Sequence, residues 1–234
     1  MALGVVVLTR PVQAMNWLAT QRILYLHFQN YVPINLDILN DRSSTEGITE
    51  QELIVHNNRL LFVDVGRLQR SQRQKWYQCF DGVRMILFVV SSIDFDQVIY
   101  EDRKTNRLVQ SCNIFEEIVN NKTFAEVSIV LFLNKSDLLA DKVKRISIRD
   151  TFPKFSGDPH DLKQVQHFQL SLFDERRKVR TTPFSHHFTT DDDMENINFV
   201  IQALKEASLH YSISMLMLGL PPLPERAGVS RTSI

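Results

Sequence analysis

The chain lacks most of what would mark it as secreted, membrane-spanning or nucleic-acid-binding. Its 234 residues include two cysteines, Cys79 and Cys112. Both lie in apolar-periodic stretches, which suits buried free thiols in a reducing compartment rather than a disulfide framework or a metal site. Neither sign of charge is in excess, with 27 Lys+Arg against 27 Asp+Glu. No net field therefore favours nucleic acid or an acidic membrane. No apolar run approaches the ~20 residues of a transmembrane helix. The opening Met1-Ala2-Leu3-Gly4-Val5-Val6-Val7-Leu8 has no basic start or small-residue cleavage site, so it does not read as a signal peptide. Ala2 stands where N-myristoylation would require glycine, so no lipidation signal is read. No internal repeat is found. The absence that bears most on chemistry is that G-x-x-x-x-G-K-[ST], the phosphate-cradling loop, occurs nowhere in the chain.

What is present is a composition of 44% hydrophobic and 23% charged residues, that of a soluble globular domain. Residues 12–29 place Met15, Leu18, Ala19, Ile23 and Leu26 at helical spacing before Tyr31-Val32-Pro33 stops the helix. Glu52-Leu53-Ile54-Val55 and residues 60–65 predict two strands joined through Asn57-Asn58. Residues 70–80 read as a helix. Residues 85–90 (MILFVV) predict a strand covered on both faces. Leu108, Cys112, Phe115 and Val119 predict a helix, residues 127–133 a strand, 161–175 a helix and 184–188 a short strand. A last helix carries Ile197, Val200, Ile201, Leu204, Ser208 and Tyr211 on one face. Strands alternating with helices predict an α/β doubly wound sheet with its ligand at the strands' carboxyl ends. Residues 219–234, with three prolines, predict a disordered tail. The basic runs 142–149 and 176–180 read as solvated faces.

The strand over 127–133 leads straight into Asn134-Lys135-Ser136-Asp137. N-K-x-D at the end of a buried strand is how GTPases read guanine. The aspartate accepts from the ring N–H and the exocyclic amine, a pairing that adenine cannot offer, while the asparagine and lysine hold the loop and flank the ring. Four residues alone are a weak signal, because the tetrapeptide recurs by chance in turns.

Around this motif the chain resembles the alpha subunit of a heterotrimeric G protein over residues 31–218. Ser91-Ser92, Phe95-Asp96-Gln97-Val98, Glu101-Asp102-Arg103, Thr105-Asn106-Arg107-Leu108 and Asn113-Ile114-Phe115 are similar to the twelve/thirteen class. The resemblance implies a Ras-like doubly wound, mostly parallel sheet, here with most of the inserted helical domain missing. It implies binding of GTP or GDP with magnesium, and partners in a beta-gamma dimer, a G protein-coupled receptor and effectors. Nucleic acid is not among the partners. It also implies a cytoplasmic protein at the inner face of the plasma membrane.

Carried over by residue, the first switch covers 37–48, with Leu39, Asn40, Asp41, Arg42, Ser43, Ser44 and Thr45 along the nucleotide. Arg42 takes the arginine-finger position, where a rigid fork of donors meets charge on phosphoryl oxygens. Its bland alternative is a surface arginine. Thr45 and Asp64 take the magnesium positions, Asp64 through water. The second switch reads Asp64-Val65-Gly66-Arg67-Leu68-Gln69. Gln69 takes the water-orienting position. Arg67-Leu68 replaces the family's single glycine before it, which leaves open whether Gln69 reaches its place. Lys75-Trp76 match positions that meet the beta subunit. Asp191 aligns with a residue whose backbone N–H bonds guanine, although Asp191 to Asp193 equally suit an N-cap and acidic first turn for the last helix.

Two consequences follow from the missing phosphate loop. GTP binding and hydrolysis are expected to be impaired, since guanine contacts alone leave roughly millimolar affinity, about 4 kcal/mol. The sheet also loses the central strand that normally precedes that loop. Gly4-Val5-Val6-Val7-Leu8-Thr9 is apolar, β-branched and long enough to fill the slot, followed by Arg10-Pro11. The alternative for this segment is a frayed terminus. The expected division is a divergent segment over 1–30, a Ras-like GTPase domain over 31–218 and the tail over 219–234. Other readings remain: a nucleotide-independent pseudo-GTPase interaction protein, or the product of an incomplete gene model.

Overall fold

The computed structural model describes residues 2–9, 48–55, 58–65, 83–99, 102–125, 127–178, 184–190, 199, 202–203 and 206, with the backbone alone at some of them. Expectations for the helices over 12–29 and 70–80, the first switch before Ile48, Gly66 to Trp76, Asp191 and the tail lie outside these residues. Six strands form one sheet: β1 Ala2–Thr9, β2 Ile48–Val55, β3 Asn58–Val65, β4 Val83–Ser91, β5 Ser128–Asn134 and β6 Phe184–Phe188. Their spatial order is β2-β3-β1-β4-β5-β6. Only the β2–β3 pair is antiparallel.

β1 lies between β3 and β4 and pairs with both. Its register sets Val6 against Val63 on one side and Ile86 on the other, and Val7 against Asp64 and Leu87. One irregularity falls between Gly4 and Val5 on the β4 side, where glycine tolerates the offset. The strand expected over 4–9 thus begins two residues earlier. The two-stranded hairpin is also longer than its sequence pattern suggested, because Ile48, placed at the end of the first switch, already pairs with Val65. Asn58, read as part of the turn, begins β3.

Among the described residues, three α-helices have both ends defined: α1 Arg107–Val119, α2 Ser136–Lys142 and α3 Leu162–Asp174. Local chemistry sets their starts. Asn106 accepts from the Val109 N–H ahead of α1 at 3.1 Å, and Asp161 accepts from Lys163 and Gln164 ahead of α3. Alternation along β4 and β5 explains the two cores. Ile86, Phe88, Ile129, Leu131 and Leu133 join Leu108, Phe115, Val165 and Phe173 on one face. Met85, Leu87, Val130 and Phe132 join Ala203 and Phe199 on the other. Neither Phe199 nor Ala203 was in the apolar face read from the sequence for the last helix. Phe115 is the hub of the first core, meeting Phe88 and Phe173 edge-on at 5.4 Å each and Phe184 at 6.0 Å. Each such pair adds about 0.5–1.5 kcal/mol beyond burial.

The basic runs are not simply solvated faces. The Lys142 ammonium donates to the Ile93 carbonyl at 2.6 Å, pairs with Asp96 and lies over the Phe95 ring. Arg177 is nearly buried against the Phe184 ring. Long basic side chains bury their stems while the charge finds a partner, which composition alone does not reveal.

Two outcomes are expected. Val6→Pro removes a ladder donor from a strand paired on both sides, so it should abolish cooperative thermal unfolding in circular dichroism, whereas Val6→Ile should retain it. Burial pushes the free Cys112 thiol up to about 12. It should resist alkylation at about pH 8 until denaturant is added, as read by peptide mass mapping.

Candidate functional site

β5 delivers Asn134 to the carboxyl edge of the sheet, level with Ser91 at the end of β4. The next residue, Lys135, adopts left-handed geometry at φ 65° and ψ 39°. For a side-chain-bearing residue that costs about 1–2 kcal/mol. The bend lets the strand end at Asn134 and the helix begin at Ser136, so an exposed Asp137 falls in the first turn of α2. Buried Leu139 anchors that short helix to the core, and its N–H donates to the Lys135 carbonyl at 2.9 Å.

The loop is held from three sides. From the β4 side, the Ser92 hydroxyl donates to the Asn134 carbonyl at 2.7 Å. From the β6 side, the Thr189 hydroxyl donates to Asn134 Oδ1 at 2.9 Å. The Thr189 N–H donates to the Leu133 carbonyl at 3.1 Å, and its own carbonyl accepts from the Ser136 N–H at 3.0 Å. From α3, the Gln166 amide donates to the Ser136 hydroxyl at 2.9 Å. Gln169, fully buried, donates to the Ser92 carbonyl at 2.8 Å. Ser92 opens a 3₁₀ turn, Ser92–Asp96, whose Asp94 pairs with Arg107 at 3.1 Å in a nearly dry setting. Arg107 also donates to Gln97 at 2.7 Å. Side chains whose rotamers are fixed in this way bind with less ordering entropy to lose.

Sequence reasoning found Asn134, Lys135 and Asp137 but gave Ser92, Gln166, Gln169 and Thr189 no role. Partners 42 and 55 residues apart in sequence leave no local pattern. Asp64 is half-buried one residue before the end of β3, against Val7 of β1 and Thr49 of β2. Val65 closes the same strand. Through the ladder Asp64 is level with Val7, Leu87 and Val130, so three strand spacings and four residues of rise put it roughly 20 Å from Asn134. The other expected contacts, Leu39 to Thr45, Gly66, Gln69 and Asp191, lie outside the described residues. Among the described residues no cluster of His, Cys, Asp or Glu forms a metal site.

Among the described residues, the Asn134 to Asp137 loop fits the base of a guanine nucleotide. The loop on β5 has the donor and acceptor chemistry for the base. The sequence that follows β1 is not that of a glycine-rich phosphate loop. Thr9 leads into Arg10-Pro11, no glycine occurs between Gly4 and Gly47, and no lysine precedes Lys75. Successive backbone N–H groups wrap phosphate only where small residues admit close approach, and proline has no N–H to give.

This strand order, with N-K-x-D at the end of β5, defines a Ras-like α/β domain. Comparison with known proteins narrows the class. The family model of the G-protein alpha subunit matches residues 16–208. Human guanine nucleotide-binding protein subunit alpha-12 is 54% identical over 189 residues, covering 81% of this chain and 49% of that protein. Mouse guanine nucleotide-binding protein subunit alpha-13 is 50% identical over 190 residues, 81% of this chain and 50% of that protein. The Caenorhabditis elegans guanine nucleotide-binding protein alpha-12 subunit is 47% identical over 189 residues, 81% of this chain and 53% of that protein. The chain belongs to the G-protein alpha subunit family, in its twelve/thirteen class. It spans about half the length of the curated relatives it matches.

Thr189→Val keeps the shape and deletes the hydroxyl that steadies Asn134. One such hydrogen bond is worth about 1 kcal/mol, so guanosine affinity should fall about fivefold while the melting temperature changes little. Isothermal titration beside a thermal melt checks both.

Proposed function

We propose that this chain recognises the guanine base of GTP and GDP and acts as a transducer in receptor-coupled signalling, with weak hold on the polyphosphate and negligible hydrolysis. The observation that carries the reading is the Asn134 to Asp137 loop, fixed to β4, β6 and α3 at the edge where a doubly wound sheet binds its ligand. In this reading Asn134, Lys135 and Asp137 take the base, with Asp191 beside it. Leu39, Asn40, Asp41, Arg42, Ser43, Ser44, Thr45, Val65, Gly66 and Gln69 border the phosphates. Thr45 and Asp64 would hold magnesium, which would neutralise phosphate charge there. The Lys75-Trp76 region would meet a beta-gamma dimer, and a receptor and effectors would complete the partners at the cytoplasmic face of the membrane. No helix among the described residues is long and apolar enough to cross a membrane. The Ras-like domain is assigned to 31–218, the divergent segment to 1–30 and a disordered tail to 219–234.

A second reading is a nucleotide-independent interaction protein that keeps partner surfaces alone. The sequence after β1, with Pro11 and no glycine from Thr9 to Glu46, favours it. Base recognition separates the two. Asp137→Asn replaces an acceptor by a group that can also donate, so it should weaken guanosine and admit xanthosine, whose 2-position carries oxygen in place of the amine. Binding of neither nucleoside to either form, by equilibrium dialysis, would leave the interaction reading in possession.

A further inference from the structure

The buried face of α3 carries one residue that core packing does not ask for. Val165, Gln169 and Phe173 recur every four residues, and all three are fully buried. That spacing sets side chains on one face of a helix. Val165 and Phe173 belong to the first core, and an apolar residue between them would make the stripe continuous. A glutamine there takes an amide out of water, which is costly unless both of its ends are bonded. Nε2 donates to the Ser92 carbonyl at 2.8 Å, but Oε1 has no partner among the described residues. Stability alone favours an apolar side chain at this position. The contribution of the amide lies in what it holds.

Gln169 holds a residue one step from the base loop. Ser92 is fully buried, with its carbonyl taken by Gln169 and its hydroxyl donating to the Asn134 carbonyl at 2.7 Å. Nearly one turn earlier on α3, the Gln166 amide donates to the Ser136 hydroxyl at 2.9 Å. α3 thus supports the loop both before and after Lys135, its left-handed residue. We propose that Gln169 is a positioning residue for base recognition: through Ser92 it fixes the Asn134 backbone, so that the Asn134 to Asp137 loop is formed before the base arrives. The proposal rests on the base-recognition reading above and adds to it a residue that sets how tightly the base is held. A ligand entering a preformed loop has less ordering to impose. The effect of Gln169 is carried by Ser92, and it disappears when Ser92 loses its hydroxyl.

A double-mutant cycle tests this relay. Isothermal titration of the full chain with guanosine, and with adenosine as the control, compares the parent, Gln169→Leu, Ser92→Ala and the double variant, each with a thermal melt. Expected is a guanosine loss of about fivefold in each single variant, the worth of one hydrogen bond. The double variant should also lose about fivefold, because both changes cut the same relay. Phe115→Leu thins the core at Phe88, Phe173 and Phe184. It should lower the melting temperature yet leave guanosine affinity within about twofold. A loss of about 25-fold in the double variant, the product of two independent effects, would overturn the proposal. So would unchanged affinity in Gln169→Leu, or an equal loss in Phe115→Leu. If Gln169→Leu does not melt cooperatively, Gln169→Met takes its place, and collapse of both makes the residue part of the fold and overturns the proposal. A parent that binds guanosine no better than adenosine overturns base recognition itself, and the proposal with it.

Discussion

The rest of the structure depends on the two-sided pairing of β1. Without it, β3 and β4 would each present a row of unpaired N–H and C=O groups to the centre of the domain, which a folded protein does not tolerate. The spacing between Asp64 on β3 and Asn134 on β5 exists only because a strand stands between β3 and β4. The family match begins at residue 16, so this central strand comes from outside the matched segment. A backbone ladder asks little of sequence beyond extended geometry and apolar, β-branched side chains, and Val5-Val6-Val7-Leu8 meets that demand. A phosphate loop asks for particular residues in a particular order. A segment can therefore complete a sheet without carrying the chemistry of a phosphate loop.

Elements carried by strong periodicity were legible. β6 has the expected bounds, and β4 and β5 follow from continuous apolar runs that both faces of the sheet then cover. α1 follows from Leu108, Cys112, Phe115 and Val119, all buried. The 3₁₀ turn at Ser92 and the seven-residue α2 were not foreseen, because both are too short and too polar to show a period. The base-reading motif was visible as four letters, but its support was not. Thr189, Ser92 and Gln169 become partners of one loop only when β4, β5, β6 and α3 have assembled. Lys142 and Arg177 misled for another reason: composition counts a charge without showing where its aliphatic stem lies.

A buried pair such as Asp94 with Arg107 gains little net stability, since desolvation offsets most of its attraction. Its value is positional. Arg107 at the start of α1 fixes the turn Ser92–Asp96, and Lys142 fixes the same turn to the end of α2. The turn in turn carries the hydroxyl of Ser92 to the Asn134 carbonyl. Removing one member of the pair would leave a charge stranded in the core, so the cost of disruption far exceeds the gain of formation. That asymmetry keeps the loop in one geometry.

A nucleotide switch needs a ligand that binds two conformations unequally, and the difference between GTP and GDP is a single phosphoryl group. A ligand with equal affinity for both states shifts neither, however tightly it binds. Where a nucleotide is held by its base alone, GDP and GTP make the same contacts, and exchange of one for the other supplies no free energy to move a switch segment. The base would then act as a stabilising ligand, raising the folded population by its concentration relative to its dissociation constant. Any change of state in this chain would have to be driven by a protein partner, whose contacts differ between conformations. In a doubly wound sheet, recognising a base and sensing a phosphate are separable properties, because they fall to different loops at the carboxyl edge.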